Sequence, residues 1–311
     1  NILGNVNDPD GINSVQYSLN GAAFLPLTIG PDNRRLNKYG DFNIELDYTT
    51  LNSGTNTIDI LAEDTLGVSS VKTVTLDFNS GNNWPLPYAI DWSTVSNIQD
   101  VAQVVDGKWS IEGSSVRTSE LGYDRLLAVG DLSWNNYEIL VPITINAVDT
   151  NAFKPGIGLL LRWPGHYAWD ASQPRWGWHP MGALGWYRYE PTGPGSDQLR
   201  MLGGDGGVID TDNSGRKLAI GSTYMYKMRV ETPSGQGSVY RLKVWEQGTP
   251  EPTSWILESQ ESTSDLQNGS LLLLAHHVDA SFGNVDITPI GSSPPVDIPP
   301  SISNISISAS N

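Results

Sequence analysis

The residues best suited to chemistry are concentrated in one stretch, from Arg162 to Tyr189. It holds five of the eleven tryptophans of the chain, with three tyrosines, two histidines and three arginines. Its proline and glycine content excludes a helix, and strand-like alternation begins only near Leu184. The sequence therefore predicts a long loop or a strand–loop–strand excursion. Aromatic faces beside forked donors suit sugars, because C–H faces stack on rings while hydroxyls meet polar groups.

Two interpretations of this stretch remain open. In the first it is a carbohydrate-binding surface. The predicted stacking residues are Trp163, Tyr167, Trp169, Trp176, Trp178, Trp186 and Tyr187. The predicted hydroxyl-binding residues are Arg162, Asp170, Arg175 and His179. In the second interpretation the same aromatic side chains plug the mouth of a β-sandwich and bind no ligand.

Two oxygen-rich turns are candidate calcium sites, because Ca²⁺ prefers carboxylate and carbonyl oxygens. One contains Asn7, Asp8 and Asp10. The other contains Asp210 and Asp212 and resembles half of a calcium loop, although a glycine stands where that loop needs a bidentate Glu. Asn, Asp and Gly also form turns without metal. We expect at least one bound calcium, and no transition metal, since the chain lacks cysteine and its histidines show no ligand spacing.

The element pattern that must position these residues is all-β. In residues 1–78 short alternating runs are separated by turn signals, including a hairpin signal at Asn20-Gly21. With Asp8-Pro-Asp10-Gly11 and Ala62-Glu-Asp64, this part resembles the bacterial Ig-like repeats of large secreted proteins. The resemblance implies a β-sandwich and is silent on activity. The part has only a short run before its Asp-Pro-Asp-Gly turn, so we expect it to lack its first strand.

A polar linker, residues 79–83, leads to a larger unit over residues 84–290. More than ten alternating runs in this unit predict a two-sheet jelly roll. The runs beginning at Tyr226 and Arg241, and the closing Phe282-Gly-Asn-Val-Asp286-Ile, resemble the concanavalin A-like lectin/glucanase superfamily, including laminin G-like domains. The resemblance implies a last strand beside the first and a structural calcium at Asp286, with Asp91 as its partner.

Enzymes of that superfamily provide a catalytic alternative. Its endoglucanases carry two glutamates flanking an aspartate on one strand, and no such motif occurs here. Its alginate lyases carry Arg-x-Glu-Leu-Arg, whereas the run from Arg117 to Glu120 has one inserted residue and no final arginine. His276-His277 could supply a base, but a histidine pair at a strand end is more often structural. We therefore expect no enzyme, with a polysaccharide lyase or glycoside hydrolase as the third hypothesis.

The composition of the chain limits the classes of molecule that it is expected to bind. The 311 residues carry a net charge of −16, which argues against nucleic acid and anionic lipid. The lack of cysteine excludes disulfides and thiol chemistry. The longest apolar runs have strand length, too short to span a bilayer. Together these features predict an extracellular prokaryotic surface protein that binds a glycan or polysaccharide.

The C-terminal composition suggests a further role. Residues 291–300 form a proline-rich extended linker, and residues 301–311 read as one β-strand with Ile302, Ile305 and Ile307 among serines. This strand resembles the one that residues 1–78 are expected to lack. Its three isoleucines are predicted to insert into the Ig-like domain of another copy. The chain is then a structural subunit of a filament built by donor-strand complementation, the alternative to adhesion through sugar binding.

Overall fold

The computed structural model describes residues 1–81, 83–166, 173–189 and 197–291. The predicted all-β class is confirmed, since these residues form strands with three short 3-10 helices, Tyr48–Thr50, Trp92–Thr94 and Ile98–Asp100. No helix in this part of the chain is long and apolar enough to cross a membrane. The strands in chain order are β1 (Ile2–Asn5), β2 (Ile12–Leu19), β3 (Leu25–Leu27), β4 (Asp41–Ile44), β5 (Gly54–Asp64), β6 (Ser69–Phe78), β7 (Tyr88–Ile90), β8 (Gln103–Asp106), β9 (Trp109–Glu112), β10 (Ser115–Thr118), β11 (Arg125–Val129), β12 (Tyr137–Val148), β13 (Gly156–Trp163), β14 (Ala183–Arg188), β15 (Gln198–Leu202), β16 (Val208–Thr211), β17 (Thr223–Glu231), β18 (Val239–Glu246), β19 (Leu257–Gln260), β20 (Ser270–His276), β21 (Val278–Phe282) and β22 (Val285–Pro289).

The first six strands form two small sheets with their own core. One sheet has the order β3-β2-β5-β6, and the other is β1 with β4. Alternating apolar residues of the larger sheet, such as Val15 and Ile58, pack with Ile44 of β4. The predicted hairpin is confirmed: Asn20 and Gly21 have φ of 53° and 74°, and β2 pairs with β3. The identity of this part as an Ig-like repeat stays a prediction, as do the domain boundaries.

The later strands form two large antiparallel sheets packed face to face. One has the order β19-β18-β17-β12-β21-β10-β9, with β22 pairing both β12 and β7. The other has the order β16-β15-β14-β13-β20-β11-β8. Their inner faces share one core, in which Ile139 of β12 packs in the same cluster as Leu159 and Leu273. The pairing of β7 with β22 places a first and a last strand side by side, as the superfamily resemblance implies.

The seven-stranded sheet is covered on both sides. Its outer face, turned away from the nine-stranded sheet, carries a second apolar cluster that includes Leu126, Leu160, Leu184 and Leu274. This explains why every residue of β13 and β20 is buried. A strand buried on both faces reads as a continuous apolar run, as both strands do. The aromatic stretch enters this second cluster, so the outer face is where the candidate site has to be sought.

Candidate functional site

Arg162 stands at the end of β13, in an irregular register that also places its backbone at a φ of 55°. The side chain is fully buried. Its guanidinium donates to the carbonyl oxygen of Asn135 at 3.1 and 3.0 Å, to Leu266 O at 2.6 Å and to two hydroxyls, Ser238 Oγ at 2.5 Å and Thr232 Oγ1 at 2.8 Å. These bonds fix loops around the strand end. The expectation that Arg162 binds sugar hydroxyls is therefore corrected, because its donors are taken internally.

Three of the predicted stacking residues also lie in the interior. Trp163 and Trp186 belong to the outer-face cluster and are only 7% and 5% exposed. Tyr187 is fully buried on the opposite, inner face of β14. Stacking on a sugar needs an open ring face, which none of the three offers in this structure. For these residues the structure has the geometry of the plug interpretation.

The remaining described residues of the stretch lie nearer the surface. Trp176 is 50% exposed, and the guanidinium carbon of Arg34 lies 4.1 Å from its ring centroid. Trp178 is half-buried, with its ring centroid 5.9 Å from that of Trp186 and 6.5 Å from that of His179. Arg175 contacts a carboxylate of the N-terminal sheets, described below. Tyr167, Trp169 and Asp170 lie outside the described residues.

Sequence reasoning missed a polar strip on the outer face. Residues paired across antiparallel strands share a face, and the register pairs Trp186 with Arg200 and Arg188 with Gln198. The two arginines and Gln198 are half-buried, so the strip meets solvent. The sequence does carry a signal for this strip, because polar and apolar residues alternate from Gln198 to Leu202. The strip places Arg188 and Arg200 on the same face as Trp186, and the guanidinium of Arg200 donates to Gln198 Oε1 at 2.9 and 2.5 Å.

The sheet is recessed beside this strip by two glycines of β13. Gly158 is paired with Trp186, and Gly156 with Arg188 on one side and His276 on the other. A Cβ added at Gly156 would lie 2.4 Å from Cζ2 of Trp186. The absence of side chains at these positions lets the indole lie across the neighbouring strand. Trp178 then packs against that indole, with 5.9 Å between the two ring centroids.

The histidine considered as a base is held inside the protein. His276 is 6% exposed, with Nδ1 2.7 Å from Asp124 Oδ1 and Nε2 3.1 Å from the carbonyl oxygen of Phe153. Both ring nitrogens are thus engaged. Burial, and then the charge of His276, lower the pKa of His277 to about 4. Arg117 pairs with Asp279 at 2.6 Å on the other sheet.

A buried ionic cluster joins the N-terminal sheets to the β8 edge of the larger sheet. Arg35 contacts the carboxylates of Glu45 and Asp106 and donates to the carbonyl oxygens of Val105 and Arg175. His166 Nδ1 lies 2.7 Å from Glu45 Oε1, and Arg175 Nε lies 3.7 Å from Glu45 Oε2. This cluster accounts for the position of Arg175, which had been predicted to bind hydroxyls.

The pKa values of the two carboxylates in this cluster are shifted in opposite directions. Burial raises the pKa of Asp106 to about 7, against the opposing charges of Arg35 and Arg125. Burial also acts to raise the pKa of Glu45, but the hydrogen bond from His166 and the charge of Arg35 outweigh it and lower that pKa to about 2. Glu45 is therefore ionised at neutral pH, and Asp106 titrates there.

One predicted calcium turn gains a ligand that the sequence did not reveal. Among the described residues, the one group of three metal-ligating side chains is Asp8, Asp10 and Asp64, whose carboxylate oxygens lie within 4.8 Å of one another. Asp64 reaches this position because β5 pairs with β2, with Asp64 opposite Ile12. Asn7 is an exposed neighbour of the turn. Carboxylate oxygens in this number form part of the ligand set that Ca²⁺ takes.

The other predicted calcium ligands are engaged locally, as are Asp8, which accepts from Asp10 N at 2.8 Å, and Asp64, which accepts from Leu66 N and Val68 N at 2.8 Å. Asp91 Oδ1 accepts hydrogen bonds from Ser93 N and from Asn284 Nδ2 at 3.1 and 3.2 Å, and Asp286 is exposed, opposite Ala89. The carboxylate of Asp210 accepts from Thr211 N and Glu258 N at 2.8 and 2.9 Å, and that of Asp212 from Ser214 N and Arg216 Nε at 2.9 and 2.8 Å. These donors would have to give way to a cation.

Comparison with known proteins adds little to this geometry. No family model matches the chain, and no curated protein sequence matches it significantly. Similar solved structures include the VIP36 exoplasmic/lumenal domain in its Ca²⁺/Man3GlcNAc-bound form, with 11% identity, a TM-score of 0.43 and coverage of 68% of this chain and 94% of that chain. The Emp47p carbohydrate recognition domain has 11% identity and a TM-score of 0.44, with coverage of 68% of this chain and 99% of that chain. Alginate lyase Aly36B has 13% identity and a TM-score of 0.45, with coverage of 67% of this chain and 98% of that chain. Scores this low assign neither fold nor ligand to this chain.

Proposed function

We propose that the chain is a non-catalytic, extracellular carbohydrate-binding protein that serves adhesion at a prokaryotic cell surface. The proposed site is the solvent-facing strip formed by Trp178, Arg188, Gln198 and Arg200. One observation carries this proposal: the strand register gathers Trp186, two arginines and an amide on a single half-exposed face, and the half-buried Trp178 packs against Trp186. A sugar could place its C–H face against the indole and its hydroxyls against the amide and the guanidiniums.

The charge of the strip selects among sugars. Two arginines stand together in a chain whose net charge is −16. Arginine recognises carboxylates through two parallel hydrogen bonds, and a local positive patch concentrates anionic ligands. We therefore favour glycans or polysaccharides that carry carboxylates, such as uronate-containing chains, over neutral ones.

The non-catalytic character rests on the state of the buried histidine. A general base must offer a nitrogen within hydrogen-bond reach of a substrate proton. Both ring nitrogens of His276 are already engaged, by Asp124 and by Phe153. Its imidazole therefore serves better as a clamp between strands than as a base.

A glycan array tests the proposal directly. It would hold neutral and uronate-containing oligosaccharides and would be run with calcium and again with EDTA. We expect binding to the uronates, and loss of that binding in Arg200→Ala. Arg229→Ala is a matched control, since Arg229 is a partly exposed arginine of the nine-stranded sheet that pairs with Glu138. Absence of binding to every sugar would exclude the proposal.

We also propose that calcium binds at Asp8, Asp10 and Asp64. The proximity of three carboxylates supports this site over the one at Asp91 and Asp286 and the one at Asp210 and Asp212. A cation there would hold the β1–β2 turn to the end of β5 and would be structural. It lies on the N-terminal sheets, away from the sugar strip on β14 and β15.

A second candidate function is that of a structural subunit that associates with further copies of itself. The observation favouring it is that β1 pairs with β4 alone among the described strands. The outer edge of β1 therefore presents backbone N–H and C=O groups that another strand could pair with.

A further inference from the structure

Arg34 and Arg35 are adjacent in the chain, but their side chains have opposite surroundings. Arg35 is buried and contacts the carboxylates of Glu45 and Asp106, so its charge is balanced within the protein. Arg34 is exposed, and among the described residues its guanidinium forms no ion pair with a carboxylate. The arginine that faces solvent is therefore the one whose charge is available to a ligand.

The position of Arg34 is fixed by its neighbours in the loop. One carboxylate oxygen of Asp32 accepts hydrogen bonds from the backbone N–H of Arg34 at 2.7 Å and of Leu36 at 2.9 Å. The ion pair of Arg35 with Asp106 then holds this loop against the β8 edge of the seven-stranded sheet. Because the backbone is already ordered, a ligand would have to restrain only the side chain.

Trp176 lies beside Arg34 because the N-terminal sheets hold this part of the aromatic stretch. Glu45 N donates to Gln173 Oε1 at 3.0 Å, and Gln173 Nε2 donates to Glu45 O at 3.1 Å. The indole of Trp176 is 50% exposed, and its ring centroid lies 4.1 Å from Arg34 Cζ. A guanidinium over an aromatic ring uses its π face for the contact, so the N–H donors at its edge stay available.

A row of aromatic rings connects this pair to the sugar strip. Trp178 packs against Trp186 of the strip, and its ring centroid lies 6.2 Å from that of His276. The ring centroid of Tyr123 lies 4.9 Å from that of His276. Burial raises the pKa of Tyr123 to about 12, and the charge of Arg34 acts against this rise, so these two side chains are near one another. The row thus leads from the strip to Arg34.

The strand order gives the length of this row. Arg200 lies on β15, and Tyr123 comes just before β11, so the row crosses four strand steps of about 4.8 Å, or about 19 Å. One sugar residue reaches only one end of such a row, whereas an extended chain crosses it. Trp178 and Tyr123 are half-buried, and their rings offer surface on which the C–H faces of intervening sugars can pack.

We propose that Arg34 is a second carboxylate-binding group of the sugar site, so that a linear uronate chain lies across the sheet from Arg200 to Arg34. The inference rests on the proposed function and deepens it, because it names an extended polyanion rather than a short sugar as the ligand. The arginine at each end binds a carboxylate of the chain through its forked N–H donors. The N-terminal sheets then supply part of the site, and the larger unit alone holds only one end of the chain.

Titration with uronate oligosaccharides of increasing length tests this span. We expect the native protein to bind chains that cross the row about tenfold more tightly than the disaccharide, as one added charge-assisted contact implies. Arg34→Ala should lose this gain and bind the disaccharide as the native protein does. Arg34→Lys, which keeps the charge but lacks the forked donors, should keep only part of the gain. Lys72→Ala, which removes an exposed cation from β6, is the charge-matched control and should keep all of it.

The possible outcomes separate this inference from the proposed function. Equal affinities of Arg34→Ala and the native protein for long chains would overturn the inference and leave the sugar strip standing. An equal loss of affinity at every chain length would also overturn it, because Arg34 would then contact short sugars too. A native protein that binds no uronate of any length would overturn both the inference and the proposed function. Thermal unfolding of Arg34→Ala should match that of the native protein, since this side chain is exposed.

Chemical modification provides a second readout on the native protein. Phenylglyoxal reacts with accessible guanidinium groups, and mass spectrometry of the peptides identifies the modified arginine. We expect Arg34 to be modified in the free protein and protected by a long uronate chain, but not by the disaccharide. The buried Arg35 is the internal control and should stay unmodified throughout. Modification of Arg34 at an unchanged rate with the long chain bound would refute its place in the site.

Discussion

Trp186 lies across Gly156 of the neighbouring strand, at a distance that leaves no room for even a methyl group on the glycine. This relationship holds the indole flat on the outer face. Because Trp178 packs against Trp186 with 5.9 Å between ring centroids, the shape of the proposed sugar site depends on a glycine that touches no ligand.

Gly156→Ala should therefore disturb both stability and binding. An overpacked buried site typically loses about 1–3 kcal/mol, and displacement of the indole should weaken uronate binding as well. Urea unfolding and glycan titration measure the two effects. Gly207→Ala is a suitable control, because a Cβ there would meet only the exposed carboxylate of Asp205. If Gly156→Ala matched this control in both measurements, the glycine would have no role in placing the indole.

The two surface tryptophans should respond differently to truncation. Trp176 is half-exposed, and its ring contact within the described residues is with Arg34, so Trp176→Ala should cost no more than about 1 kcal/mol of stability. Trp178 packs against Trp186, so Trp178→Ala should cost about 2–3 kcal/mol and should also weaken sugar binding. Thermal unfolding and glycan titration of both variants provide the comparison. Equal losses of stability with unchanged binding in both would favour a plug with no ligand.

Calcium should stabilise the native chain by mass action. A ligand that binds only the folded state adds about 2.7 kcal/mol at one hundred times its Kd. We expect EDTA to lower the melting temperature, and Asp10→Asn to remove most of the difference. Asp212→Asn should retain it, because that carboxylate is bound by Ser214 and Arg216. Identical melting curves with calcium and with EDTA would rule out a structural ion.

The contribution of Asp106 to stability should fall as pH rises from about 4.5 to 7, because this carboxyl keeps its proton in the folded state over this range. Its folded pKa of about 7 lies above its ordinary value of 3.8, so at this site the folded chain binds more protons than the unfolded chain. His277 opposes it below about pH 6.5, because its pKa is lowered from 6.5 to about 4 in the folded state and the unfolded chain then binds the extra proton. The slope is at most about 1.4 kcal/mol per pH unit. Glu45 acts in the opposite sense, but its folded pKa of about 2 and ordinary value of 4.5 confine its effect to lower pH.

Asp106→Asn should remove this contribution, since the amide has no charge to gain, so the variant should gain stability relative to the native chain as pH rises from 5 to 7. Urea unfolding at pH 5, 6 and 7 measures the slope, and Asp100→Asn, at an exposed carboxylate, supplies the comparison. An unchanged slope in Asp106→Asn would mean that another group governs the pH response.

The sequence is sufficient to predict many strands because most of them bury one face. Alternation along Tyr137–Val148 and Thr223–Glu231 corresponds to burial of every second residue at the start of each strand. The site was harder to predict, because its composition depends on pairing between distant strands. Asp64 reaches Asp10 only through the pairing of β2 with β5. The sequence also does not distinguish an arginine that faces solvent from Arg162, which is enclosed because the β13 register shifts at its end.

The ion pair between Arg35 and Asp106 has a consequence for the polar linker that separates them in sequence. Arg35 and Asp106 lie on opposite sides of this linker in sequence, so their buried contact closes a loop of chain that contains it. The entropy cost of closing such a loop grows only slowly with its length. Homologous chains could therefore gain or lose residues in the linker without changing how the two parts are oriented. Loss of the arginine, by contrast, would remove the buried ion pair between the parts and leave contacts such as Glu45 N to Gln173 and Tyr48 to Gln103 to hold them together.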